Sequence, residues 1–170
     1  MTPRSSNMWW LFRGKEGRNN RKIIELLVKH EEPVNPHQIC MRLGVEKKNY
    51  PTVLYRTKNL EKHGILEKAG ETRKKSQQFQ LSPNGLAEAA HELNGSAKRV
   101  AIDRCRKSIV ASWREFSEVY GLEELRTEWP AYRYFTEWLE SDQGILHFLT
   151  IFGGWPLAGR AAALSSFRNM

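Results

Sequence analysis

Residues 33–81 read PVNPHQICMRLGVEKKNYPTVLYRTKNLEKHGILEKAGETRKKSQQFQL, and the order of signals in this stretch decides the fold. Asn35 and Pro36 open a first helix. Asparagine accepts from a free backbone N–H, and proline suits the first helical position, where a missing N–H costs nothing. Gln38 follows Asn35 at the spacing of a capping box. Ile39 and Leu43 share one face, and Gly44, tolerant of left-handed backbone, ends the helix. A second helix opens at Pro51 and runs to Lys62, with Val53, Thr57 and Leu60 on one side and Thr52, Tyr55, Arg56 and Asn59 elsewhere. Gly64 stops it. Ile65-Leu66 starts an extended segment, GETRKKS makes a tip, and QQFQL returns with Phe79 and Leu81 alternating with polar residues. Val34 is placed to add a short third strand. Two helices joined by a turn, followed by a basic two-stranded wing, form an arrangement suited to reading duplex DNA.

The totals agree with that reading. A chain of 170 residues holds one large domain or two small ones, and 40% hydrophobic content with six Trp is enough for a packed core. The net charge of +8 is unevenly placed. Residues 1–95 hold 17 Lys+Arg against 10 Asp+Glu, whereas residues 96–170 hold 10 against 9, so the first half is the one to meet a polyanion. Cys40 and Cys105 form no Cys-x-x-Cys pair, which argues against a zinc finger and fits a reducing cytoplasm. MWWLF at residues 8–12 is too short for a signal-peptide core, and its basic residues follow rather than precede it. The apolar run from Ile145 to Leu164 is interrupted by Gly153, Gly154, Pro156 and Arg160, leaving far fewer than the roughly 20 residues of a membrane span.

Before the deciding stretch, residues 1–7 read as a disordered start and Met8–Phe12 as an apolar segment that must bury itself, in the core or against a second subunit. Gly14 to Asn20 is polar and glycine-punctuated. A helix follows to His30, its apolar stripe made by Asn20, Ile23, Ile24, Leu27 and Val28, and Glu31-Glu32-Pro33 ends it. After the wing, Ser82-Pro83 caps a helix through Leu93, with Leu86, Ala89, Ala90 and Leu93 as its apolar side. Asn94-Gly95-Ser96 is the best domain boundary. A long helix from Ala97 to Tyr120, roughly 36 Å at the helical rise, repeats Ile102, Cys105, Ile109, Trp113, Phe116 and Val119 at three and four. A short helix LEELRTEW follows, then PAYRYFTEWLES with Tyr134, Phe135, Trp138 and Leu139 as its large apolar residues, then ILHFLTIF. The tail GGWPLAGRAAALSSFRNM has no firm assignment.

A family resemblance rests on Arg13-Gly14, Gly17, Arg21, Ile23-Ile24 and Leu27, on the Asn-Pro that opens the next helix, on Leu43-Gly44-Val45, and on TVLYRTKNLEKHGIL at 52–66. Over residues 9–93 the chain resembles the winged helix-turn-helix transcriptional regulators common in archaea, broad relatives of the ArsR and MarR types, and LSPNG at 81–85 resembles the junction after the wing in MarR-like proteins. The resemblance implies a DNA-binding transcription factor, usually dimeric and without catalysis. One departure is the segment VEKKNYPT at 45–52, longer than the usual turn, which enlarges the loop before the second helix.

For DNA binding, cations must meet phosphates and polar side chains must reach base edges. Lys47 and Lys48 precede the second helix, Arg56 and Lys58 lie on it, and Arg73, Lys74 and Lys75 lie at the wing tip. Arg56 matches the O6 and N7 acceptors of guanine, and Asn49, Tyr50, Thr52 and Tyr55 are the other base-edge candidates. The bland alternative is a merely solvated charged face. His37 and Cys40 are three apart on one helix, but no second pair completes a metal site. No Walker loop, dinucleotide fingerprint, HExxH or nucleophile elbow occurs, so neither an enzyme nor a cofactor is expected. The aromatics from Trp113 to Trp155 read as a helical core and dimer interface, or as a pocket for a small-molecule or protein effector.

The expected protein is mainly α with a small β-wing (α+β). Residues 8–94 form a winged helix-turn-helix domain and residues 96–170 a helical, dimerising domain. Its expected function is sequence-specific binding of double-stranded DNA as a homodimer, with recognition helices about 34 Å apart. The alternatives are a role in replication or mobile-element maintenance, a protein-interaction module, and binding of structured RNA.

Overall fold

A computed structural model of the chain describes residues 8–71 and 76–154 together with Leu157. It is mainly helical with one small antiparallel sheet. Helix α1, Gly14–Lys29, is preceded by a 3-10 turn at Trp9–Phe12. Helix α2 is Pro36–Arg42 and α3 is Tyr50–Lys62. Strands β1, Leu66–Glu71, and β2, Gln77–Leu81, form a two-stranded sheet. Helices α4, Pro83–Glu92, and α5, Gly95–Val119, follow, and α6 (Leu125–Glu128), α7 (Pro130–Glu140) and α8 (Asp142–Phe152) close the order.

Local chemistry sets most boundaries. Asn35 and Gln38 make the expected reciprocal pair: the Gln38 backbone N–H donates to Asn35 Oδ1 at 2.9 Å, and the Asn35 backbone N–H donates to Gln38 Oε1 at 2.9 Å. Gly44 and Gly64 end α2 and α3 with φ of 65° and 74°. Leu66 faces Leu81 across the hairpin, and the register slips between Lys68 and Gly70. Val34 joins the sheet as expected, through an isolated bridge with 2.8 and 3.0 Å hydrogen bonds to Phe79.

The first helix begins at Gly14, earlier than the polar composition of residues 14–20 suggests. Two contacts with the preceding 3-10 turn explain this. Asn20 is 4% exposed and donates its side-chain amide to the Leu11 carbonyl at 3.0 Å. Gly17 passes so close to the Phe12 backbone that a Cβ there would stand 2.4 Å from its carbonyl carbon. The 3-10 turn thus lies against the first turns of α1, and Leu11 and Phe12 are buried.

Ile23, Ile24, Leu27 and Val28 of α1 share a core with Ile39 and Cys40 of α2, Val53 and Leu60 of α3, Phe79 of β2 and Leu86, Ala89 and Ala90 of α4. The same core continues past Asn94 into Ala97, Ala101, Ile102, Cys105 and Ile109 of α5 and on to Leu139, Ile145 and Leu149. Arg104 of α5 donates to the carbonyls of Leu27 and Val28, both at 3.0 Å, so it satisfies acceptors that the C-terminus of α1 leaves open. Arg106 reaches the Glu140 carbonyl at 2.8 Å and pairs with Asp103 and Asp142, tying α5 to the α7–α8 junction.

On α7 the buried residues are Tyr132, Thr136 and Leu139, whereas Tyr134, Phe135 and Trp138 are exposed. Of the four large apolar residues named from the sequence, Leu139 alone is buried. Tyr132 turns inward because its hydroxyl meets Ser117 of α5 at 2.7 Å. No described helix is long and apolar enough to cross a membrane.

The first turn of α4 crosses directly over the Gly64–Ile65 backbone. A Cβ at Gly85 would stand 1.9 Å from the Ile65 carbonyl oxygen, which cannot yield as a flexible side chain would. Gly64, by contrast, has open space but a left-handed φ. Thermal and urea unfolding should therefore rank the two alanine variants. Gly64→Ala should lose about 1–2 kcal/mol, the cost of a left-handed alanine, and Gly85→Ala should lose about 3 kcal/mol or more, from overpacking against fixed backbone. Equal losses would show that the crossing relaxes.

Candidate nucleic-acid interface

Helix α3 buries only Val53, Thr57 and Leu60 of its 13 residues. Thr57 satisfies its buried hydroxyl by donating to the Val53 carbonyl at 2.8 Å, so the inward face carries no free polar group. The outward face presents Thr52, Tyr55 and Lys58, with Tyr55 69% exposed. Leu54 is also exposed there.

The enlarged loop before α3 is ordered as a 3-10 turn, Lys47–Asn49, none of whose residues is buried. Lys47 and Asn49 are exposed, whereas Lys48 pairs with Glu46 at 2.6 Å. Both partners are well solvated, so this pair is worth little and yields readily to a stronger anion. Tyr50 turns back toward α2. Its hydroxyl lies 3.5 Å from Met41 Sδ, and its ring meets His37 edge-on at 5.5 Å between centroids. Tyr50 thus braces the loop.

Arg56 points toward α1, where Nη1 donates to the Glu16 carbonyl at 3.4 Å. Its side chain is half-buried and lines a hollow of about 320 Å³, with Asn19, Lys22, Asn49 and Thr52 among its polar neighbours. Arg73, Lys74 and Lys75, the expected cations of the hairpin tip, lie outside the described residues.

The structure adds cations that the sequence reading missed. Lys15, Arg18 and Lys22 are exposed on α1 at helical spacing, and Lys22 borders the same hollow as Thr52 and Arg56. The signal was the Lys-x-x-Arg-x-x-x-Lys pattern, which lies on one face only if the helix already starts at Gly14.

Other candidate chemistry separates. Cys40 is buried, and burial raises its thiol, while His37 is exposed against Tyr50. Burial pushes the Cys105 thiol up to about 12. Among the described residues no group of three or more His, Cys, Asp or Glu side chains is gathered as a metal site. Trp113 packs on Phe116, Tyr132 and Phe135 at centroid distances of 5.6, 5.9 and 5.1 Å. A second hollow, about 570 Å³, lies apart from these aromatics, between Glu31, Gln80, Arg104 and Lys107. No family model, curated protein or solved structure matches the chain.

Proposed function

We propose that the chain is a winged helix-turn-helix protein that binds duplex DNA sequence-specifically and regulates transcription. In this reading α3 is the recognition helix and the β1–β2 hairpin is the wing. The observation that carries it is the outward face of α3, which offers Thr52, Tyr55 and Lys58 between exposed cations of the preceding loop and of α1. Lys47, Lys58, Lys15 and Lys22 suit phosphates, since a solvated ammonium is a point charge with little directional preference, and Arg18 suits them through its guanidinium fork. Thr52, Asn49 and Tyr55 suit base edges. Arg56 reads a base only after leaving the Glu16 carbonyl, and at 3.4 Å that hydrogen bond is long and easily exchanged.

The protein acts as a homodimer in this proposal, in the cytoplasm, pairing through the distal helices. Support comes from Tyr120, Trp129, Tyr134, Phe135 and Trp138, large apolar side chains left exposed on adjoining elements.

Selection of bound fragments from randomised duplexes should enrich a two-fold symmetric site. Thr52→Ala and Tyr55→Ala should change the enriched sequence. Lys22→Ala and Lys47→Ala should weaken all duplexes alike and reduce the salt slope by about one each. Salt-sensitive binding that enriches no sequence would exclude a specific regulator, and absence of binding at low salt would exclude DNA as the partner.

Sedimentation tests the dimer separately. Trp129 and Tyr134 are 56% and 69% exposed, so Trp129→Glu with Tyr134→Glu leaves the core of the subunit intact. The double variant should sediment as a monomer where the parent is a dimer. A dimer that survives it pairs through another surface.

A further inference from the structure

We propose that the hollow between α1 and the first turn of α3 binds a small aliphatic carboxylate, and that its occupancy opposes DNA binding. The second clause rests on the DNA-binding reading; the first does not.

The hollow combines two unlike linings. Its apolar part is wholly aliphatic, made by Ile23, Leu43, Val45 and Val53. Its cations are Lys22 and Arg56. Among the described residues neither cation has a carboxylate at ion-pair distance. Two cations on one hollow without a carboxylate between them suit an anion, which charge-assisted hydrogen bonds would hold.

The aliphatic part distinguishes this from a seat for a DNA phosphate. A phosphate gains nothing from four hydrocarbon side chains, whereas an alkyl chain is driven onto them by removal of its surface from water. At about 320 Å³ the hollow is at the small end of the range for ligand sites, which favours a short chain over an extended one. Occupancy would engage Lys22 and Arg56 and place a negative charge beside Thr52, on the face that is to meet phosphates. A carboxylate bound there is thus a competitor of DNA by charge.

The test is an NMR titration of the full chain, first without DNA, using butanoate, hexanoate, hexanamide and inorganic phosphate. Affinity should rise about fourfold per added methylene from butanoate to hexanoate. Hexanamide, which lacks the charge, should bind at least tenfold more weakly than hexanoate. Lys22→Ala and Arg56→Ala should each weaken hexanoate roughly tenfold or more. Val45→Phe should fill the hollow and abolish binding, with thermal unfolding confirming that it is folded. The exposed Lys22 variant reports on the site even if the Val45 variant is unfolded. Equal binding of hexanoate and hexanamide would overturn the anion site, and phosphate binding as tightly as hexanoate would overturn the aliphatic ligand. No saturable hexanoate binding up to roughly 10 mM would overturn the site outright.

Duplex binding is then repeated with saturating hexanoate. The apparent duplex affinity should fall about tenfold in the parent and stay unchanged in Val45→Phe. Unchanged affinity in the parent would remove the regulatory role. A chain that takes up hexanoate but binds no duplex would remove both that role and the DNA-binding reading while leaving the site in place.

Discussion

The arrangement depends on how closely α4 can approach the chain segment leaving α3. The Ser82 backbone N–H donates to the Ile65 carbonyl at 3.0 Å, and its hydroxyl donates to the Gly64 carbonyl while accepting from the Gly85 N–H at 2.9 Å. One serine therefore caps α4 and fastens it to the residue where α3 ends and β1 begins. Gly85 makes the approach sterically possible. Any other residue would hold α4 away from Ile65 and open the core that Leu86, Ala89 and Ala90 share with α1. The tilt of the hairpin relative to α3 is fixed by the same crossing, because Ile65 precedes β1 and Ser82 follows β2.

From that crossing the rest of the packing follows in steps. With α4 seated on α1, the small residues Ala97 and Ala101 let α5 approach the same helices closely. Arg104 then reaches the C-terminus of α1, where it meets the partial negative charge of the last carbonyls as well as forming two hydrogen bonds. Arg106, near the middle of α5, then holds the α7–α8 junction through the Glu140 carbonyl and Asp142, and Leu139, Ile145 and Leu149 join the same core. Gly154 closes the circuit: its N–H donates to Asn84 Oδ1 at 3.1 Å, returning the chain to the first turn of α4.

Features set by neighbours in sequence could be read from the sequence. The capping box at Asn35, the serine cap before Pro83, the glycine stops and the inward set Val53, Thr57 and Leu60 each depend on residues within about one turn. Among features set by partners further off, the Val34–Phe79 bridge is legible but others are not. Asn20 looks like a helix-breaking surface residue until Leu11 supplies its acceptor, and Gly17 looks like a loop residue until Phe12 lies across it. The outward side of α3 was correctly separated from its buried side, but the direction of Arg56 was not foreseeable, since its acceptor belongs to a helix forty positions earlier. On α7 the sequence groups Tyr134 with Phe135, Trp138 and Leu139, yet Tyr132 is the buried tyrosine, its hydroxyl meeting that of Ser117.

The charge distribution adds a constraint of its own. Residues 1–110 carry 22 Lys+Arg against 11 Asp+Glu, while residues 111–152 carry 3 against 8. The sign change falls within α5, near where it leaves the common core. Beyond residue 110 the helix continues for nine residues, roughly 14 Å, less than two screening lengths of about 8 Å in physiological salt. Screening confines the influence of the acidic part to its own neighbourhood. It acts at short range: wherever the distal aromatics approached a phosphate backbone, the net negative charge of residues 111–152 would oppose the approach. For a chain that binds DNA through α3, that repulsion holds the aromatic face away from the duplex and leaves it free for another protein surface. If two copies of the face pair as proposed, they must in turn overcome mutual repulsion between their own carboxylates. Apolar contact between the aromatics has to outweigh it, and added salt, by screening the carboxylates, strengthens such a pairing at the same time as it weakens binding to DNA.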